Sequence, residues 1–182
     1  MTLRRLIPES DLNLIVTGYT GPNQPAIARR VAAELGRASH YLDVDMAVEE
    51  RAGMSRAELQ TRFGGSRVKT IENEIVQEAL LYRSAVIRVS GQTLMHSSNY
   101  DRFHATGPVV CLVTTLDSVL QRLHLALGAR YHDPNERDLA VGHLRLEWAV
   151  RTKPGLHEID TTNRTEEEII AAVLDLWQQS VL

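Results

Sequence analysis

Three short apolar runs constrain the fold more than anything else in the chain. They are "LNLIVTG" (residues 12–18), "AVIRVSG" (85–91) and "VVCLVTT" (109–115). Each is continuous rather than alternating, as expected of a strand with both faces covered. "HYLDVD" (40–45) reads as a shorter strand ending in two aspartates, and "LHEID" (156–160) as a last one. Helical patterns fall between them. Ile27, Val31 and Leu35 recur at helical spacing before Gly36. Residues 46–63 look helical, broken at Gly53-Met54-Ser55. Val68, Ile71, Ile75 and Ala79 share one face of a further helix. "LDSVLQRLHLAL" (116–127) carries Asp117 near its start, and another helix covers roughly 136–150. Thr165 and Glu168 form a capping box before "IIAAVLDLW" (169–177). Strands alternating with helices predict an α/β domain: a five-stranded parallel sheet with helices on both faces. The polar break "GARYHDPNE" (128–136) marks a small lid-like region near 128–140.

The 182 residues suit one domain spanning 1–182, and 43% hydrophobic with 24% charged residues is ordinary globular composition. A formal charge of −3 gives no bulk attraction to nucleic acid or to an anionic membrane, so neither is expected as a partner. The lone Cys111 lies in an apolar run and reads as a small hydrophobe. No signal peptide, bilayer-spanning run or lipidation motif is read, which makes a cytoplasmic location the expectation. The first ten residues read as a lead-in.

In a parallel sheet, ligands sit at the carboxyl ends of the strands. The loops of interest are therefore 18–25, 43–45, 90–95 and 114–117. The first, "GYTGPNQPA", follows a strand and opens a helix, where a phosphate-cradling loop reads G-x-x-x-x-G-K-[ST]. Gly18 holds the first position, and Gly21 adds conformational freedom. Asn23 replaces the second glycine, Gln24 the lysine, and Pro25 the hydroxyl residue. Gln24 brings no charge, and Pro25 offers neither a metal-binding hydroxyl nor an N–H. Pro25 still suits the first turn of a helix. Taken alone, the loop is equally a plain strand–helix connector.

Alternation along "DVD" places Asp43 and Asp45 on one face of a strand end, where a pair of carboxylates can hold hydrated magnesium or accept a hydroxyl proton. Asp45 is alternatively the cap of a helix starting at Met46. "FGGSRVK" puts Arg67 and Lys69 at a helix start, able to meet an anion or simply solvated. "SGQ" (Ser90, Gly91, Gln92) supplies a glycine that allows close backbone approach by a ligand. The seven histidines show no tight metal spacing, and no G-x-S-x-G elbow is present.

Taken in order, strand–"GYTG"–helix, "DVD", "GG…VK..E", "SGQ", "VVCLVTT", a helix bearing Arg122 and a polar break resemble the shikimate kinase family of P-loop kinases. The likeness spans about residues 12–180. It implies that Gly18, Gly21, Asn23, Gln24 and Pro25 trace the phosphate loop, with ATP and magnesium as cofactors if the chain is active. It implies Asp43 as the magnesium-linked aspartate and Asp45 as the catalytic base that binds substrate hydroxyls. It puts Lys69 in place of a carboxylate-gripping arginine, and Gly91 and Gln92 in a substrate-lining turn. Arg122 would lie near the adenine, and Arg130 would be the lid arginine. A second gripping arginine falls on or near Glu147, with Arg145 or Arg151 in reach only by a shift. With the loop lysine and hydroxyl gone, the resemblance implies a ligand-binding or regulatory module without ordinary kinase turnover. The alternatives are an active ATP-dependent kinase on shikimate or another hydroxylated acid, with Arg130 or Arg29 standing in for the lysine, and an interaction or structural protein with no small-molecule ligand, for which a protein partner is possible.

Overall fold

A computed structural model describes residues 11–19 and 24–181, so the lead-in of the first ten residues lies outside it. Five strands, β1 (Leu14–Gly18), β2 (Tyr41–Asp43), β3 (Val86–Arg88), β4 (Val109–Val113) and β5 (His157–Asp160), form one sheet in the order β2-β3-β1-β4-β5. All four pairings are parallel; β1 lies centrally, with Val16 opposite Arg88 on one side and Val110 on the other. The predicted five-stranded parallel sheet is therefore the observed one.

Eight helices accompany it among the described residues: α1 (Gln24–Glu34), α2 (Val44–Ala52), α3 (Arg56–Ala79), α4 (Gly91–Met95), α5 (Asn99–Thr106), α6 (Leu116–Leu127), α7 (Pro134–Trp148) and α8 (Glu166–Val181). The period-2 geometry of β1 splits the core in two. Ile15 points to the face covered by α3 and α5, where it joins Ile71, Ile75, Phe103 and Cys111. Leu14 and Val16 point to the face covered by α1 and α8, with Val31, Val173 and Trp177. On the α3–α5 face Cys111 is buried as a small apolar residue, and burial pushes its thiol up to about 12.

The helix starts are chemically specified. Ser55 and Glu58 form a reciprocal capping box at α3. Thr165 and Glu168 exchange N–H bonds before α8, as the sequence predicts. Three boundaries differ from expectation. The "DVD" segment is strand only to Asp43, because the Asp43 side chain caps α2 and turns the chain into a helix at Val44. Consequently the two aspartates do not alternate along one strand, and Asp43, not Asp45, is the cap. The "GG" of 64–65 sits inside α3, which kinks where Gly64 takes φ 79. "SGQ" is not a loop turn but the capped start of α4. The lid-like region contains a 3-10 turn over Gly128–His132 followed by the first part of α7. Among the described residues, no helix is long and apolar enough to cross a membrane.

Candidate functional site

The carboxyl ends of β1, β2 and β3 converge on one crevice. At the end of β1, Gly18 has φ 91, and a Cβ there would collide with the Leu112 carbonyl of β4. Only glycine satisfies both constraints. Residues 20–23 lie outside the described chain, so the expectations for Gly21 and Asn23 are not placed. Gln24 then opens α1 with 1% exposure, and among the described residues neither its amide oxygen nor its nitrogen has a hydrogen-bond partner. The Thr17 hydroxyl on β1 is buried in the same condition. Pro25 follows in the first turn, and its carbonyl accepts from the Tyr41 hydroxyl at 3.3 Å. Gln24 therefore stands in the first turn of the helix, one residue earlier than the helix start read at Pro25, as a buried neutral amide.

The β2–β3 side is dense in charge. Asp43 Oδ1 accepts from the backbone N–H of Asp45 (3.1 Å) and of Met46 (3.2 Å), which satisfies two donors at the start of α2. Arg88, at the end of β3, donates through Nη1 to both Asp43 oxygens at 3.0 and 3.1 Å and to Asp45 Oδ2 at 3.2 Å. Parallel pairing of Asp43 with Arg88 across β2 and β3 creates this contact. Arg56, from the first turn of α3, donates to Asp45 Oδ1 at 3.3 Å and pairs with buried Glu72 in the same helix. Two guanidiniums thus link three carboxylates. Burial works against the Arg88 charge, but Asp43 and Asp45 outweigh it and hold the guanidinium above its ordinary value. Burial, reinforced by Asp43, pushes the Tyr41 hydroxyl up to about 12.

Glu147, near the end of α7, closes the crevice from above. Its side chain is 4% exposed; Oε2 accepts from the Gly91 N–H at 2.6 Å, while Oε1 has no partner among the described residues and lies 4.0 Å from His143 Nε2. Burial pushes this carboxyl up to about 7, against the pull of the Gly91 N–H. Gly91 is needed here for a different reason from the one expected. A Cβ would collide with the Glu147 carbonyl, so the backbone that approaches is the chain's own. Lys69 and Gln92 line one cavity of about 140 Å³ together with Arg56, Gln60 and Glu72. Arg122 is on α6 and donates to the Thr161 carbonyl at 3.1 Å, beyond β5. The Arg130 side chain lies outside the described residues.

The implied magnesium and nucleotide phosphates do not match these residues well. Asp43 spends its oxygens on two N–H groups and a guanidinium, which leaves it little capacity for a magnesium ion. The start of α1 presents a neutral amide, Gln24, followed by Pro25. Sequence reasoning missed Arg56 and Arg88 and gave Glu72 no role. A signal existed for Arg88: it is the only charged residue in an otherwise apolar strand run.

A five-stranded parallel sheet in this order, with a strand–glycine–helix opening and its crevice at the strand carboxyl ends, is the P-loop kinase arrangement. The model of the family described as "Shikimate kinase" matches residues 25–178, and the chain belongs to that family. Shikimate kinase of Thermodesulfovibrio yellowstonii is 24% identical over 175 residues, covering 92% of this chain and 95% of its own. That of Thermus thermophilus is 26% identical over 179 residues, covering 96% and 95%. A solved shikimate kinase from Acinetobacter baumannii in complex with shikimate superposes with a TM-score of 0.77 at 20% identity, covering 94% and 95%.

Proposed function

We propose that this member of the shikimate kinase family binds a small hydroxylated ligand in the crevice and does not carry out ordinary phosphoryl transfer. The observation that carries the reading is the state of Asp45, the residue in the position of the catalytic base. One of its oxygens takes a hydrogen bond from Arg88 at 3.2 Å and the other from Arg56 at 3.3 Å. Both oxygens are engaged by the chain itself. Gln24 and Pro25 support the same conclusion on the phosphate side, where catalysis rests on positioning and on neutralising charge. We read this first loop as a degenerate phosphate loop.

Ligand binding, rather than a purely structural role, is favoured by where the unpaired polar groups lie. Buried polar atoms in folded proteins are nearly always hydrogen-bonded. Those without a partner among the described residues belong to Thr17, Gln24, Arg88 and Glu147. All four residues border the carboxyl ends of the strands, where a hydroxylated molecule can both donate and accept.

The test is titration calorimetry of the full chain with shikimate and with ATP and magnesium, run beside a coupled ADP-release assay. Shikimate or a related hydroxylated acid should bind, with turnover at least about a thousandfold below the roughly 1–100 s⁻¹ usual for kinases. A micromolar ATP–magnesium site accompanied by shikimate-dependent ADP release at ordinary rates would overturn the reading.

A further inference from the structure

The C-terminal end of α7 contacts two parts of the crevice. Toward α4, the Glu147 carboxyl holds the Gly91 N–H at 2.6 Å. Toward the first loop, Trp148 Nε1 donates to the Tyr19 carbonyl at 3.1 Å, and the His143 ring stands edge-on to the Tyr19 ring with centroids 5.2 Å apart. On the other side, the Arg151 guanidinium covers the Trp148 ring at 5.8 Å. Glu147 therefore contacts the substrate side, while His143 and Trp148 of the same helix end contact the phosphate-loop side. We propose that this helix end is a proton-operated clasp: it holds α4 and the first loop together while Glu147 carries a proton, and it loosens when the proton leaves.

The direction follows from the surroundings of Glu147. The carboxyl is sealed from solvent with one oxygen unpaired among the described residues. The neutral acid tolerates that burial, whereas the carboxylate does not. The charged and titratable groups that face it come from each neighbouring element. They are Asp45 from α2, Arg88 from β3, the Gly91 and Gln92 N–H groups of α4, His143 of α7 itself, Tyr19 beside the first loop and Cys111 of β4. Arg88 and the two N–H groups favour the anion, while burial and Asp45 oppose it more strongly, so the carboxyl titrates at about 7. Once ionised, Glu147 regains water only if the α7 turn lifts from α4. The clasp is thus tightest at low pH, and its opening equilibrium rises by up to about tenfold per pH unit from about pH 4.5 to 7 and levels off above about pH 7, where the buried carboxyl has itself lost the proton. This goes beyond the proposed ligand binding and is read without any ligand.

Hydrogen-exchange mass spectrometry on the full chain at about pH 6, 7 and 8 tests it, each rate divided by the intrinsic chemical rate at that pH. Peptides covering 91–95 and 143–152 should lose roughly fivefold protection between about pH 6 and 7 and no more than about twofold between about pH 7 and 8. A peptide covering β4 should not change. Glu147→Gln should remove the pH dependence in both peptides, and His143→Asn should retain it. A flat wild-type profile overturns the proposal by itself, whether or not the variants fold. So does a Glu147→Gln profile that still falls with pH, or a His143→Asn profile that no longer does.

Discussion

The two sides of the crevice share one sheet and differ in how they deal with charge. On the β1–α1 side, the described residues present a neutral buried amide, a hydroxyl and a proline. On the β2–β3 side, Asp43, Asp45 and Glu72 face Arg56 and Arg88, and most of that charge is consumed within the group. On the proposed reading, one side has too little charge to hold phosphates, and the other has ample charge already committed to itself. The contrast teaches that a crevice on one sheet can be left without free charge by two routes, neutral side chains on one side and internal pairing on the other.

The largest effect that could break this contrast is at Arg88. Removing one member of a buried pair leaves its partner charged and uncompensated. Arg88→Ala should lower unfolding stability by about 3–5 kcal/mol in urea melts near neutral pH. A loss below about 1 kcal/mol, the scale of an exposed pair, would mean that the network is ornamental.

Next comes Glu147→Gln, with the opposite sign. The folded-state carboxyl titrates at about 7 against an ordinary 4.5, so the folded protein holds the proton more tightly than the unfolded chain. Stability is then lost as pH rises from about 4.5 to 7, and the burden is complete above 7. At about 1.36 kcal/mol per pH unit, the glutamine variant should gain up to about 3 kcal/mol at about pH 8 and almost nothing at about pH 4. Denaturant midpoints across that range will show whether the gain grows with pH as required.

Gly91→Ala sharpens the comparison at the junction of α4 and α7. Its Cβ would meet the Glu147 backbone rather than a flexible side-chain end. Overpacking of this kind should cost about 1–3 kcal/mol, measured by thermal unfolding. The smallest effect is a gain on the depleted side. Gln24→Lys with Pro25→Ser supplies a cation and a hydroxyl, and ATP–magnesium affinity by calorimetry should rise about tenfold, near ~1.4 kcal/mol. No gain would place the deficit elsewhere in the loop.

Much of the frame was legible in the chain. The continuous apolar runs around Ile15, Ile87 and Cys111 are strands because a two-faced core tolerates little that is polar there, and their alternation with helices fixes a parallel sheet. Lys69 and Gln92 could be singled out through motif order, and they border one cavity. What was not legible is who pairs with whom. Asp43 and Arg88 are 45 positions apart and meet only because β2 pairs with β3 in one register. Asp43 also competes successfully for the cap of α2, which removes Asp45 from the strand and points it at Arg56.

By itself, then, the sequence determined the layers, the strand-end location of the crevice and the absence of a lysine and a hydroxyl from the end of the first loop. These follow from local periodicity and from which side chains are present at all. Only the tertiary structure decided that the surviving charges neutralise one another, and that Glu147 is a sealed acid holding α4 rather than a solvated one. Those properties depend on distance and burial, and both are set by parallel pairing and helix packing between residues far apart in the chain.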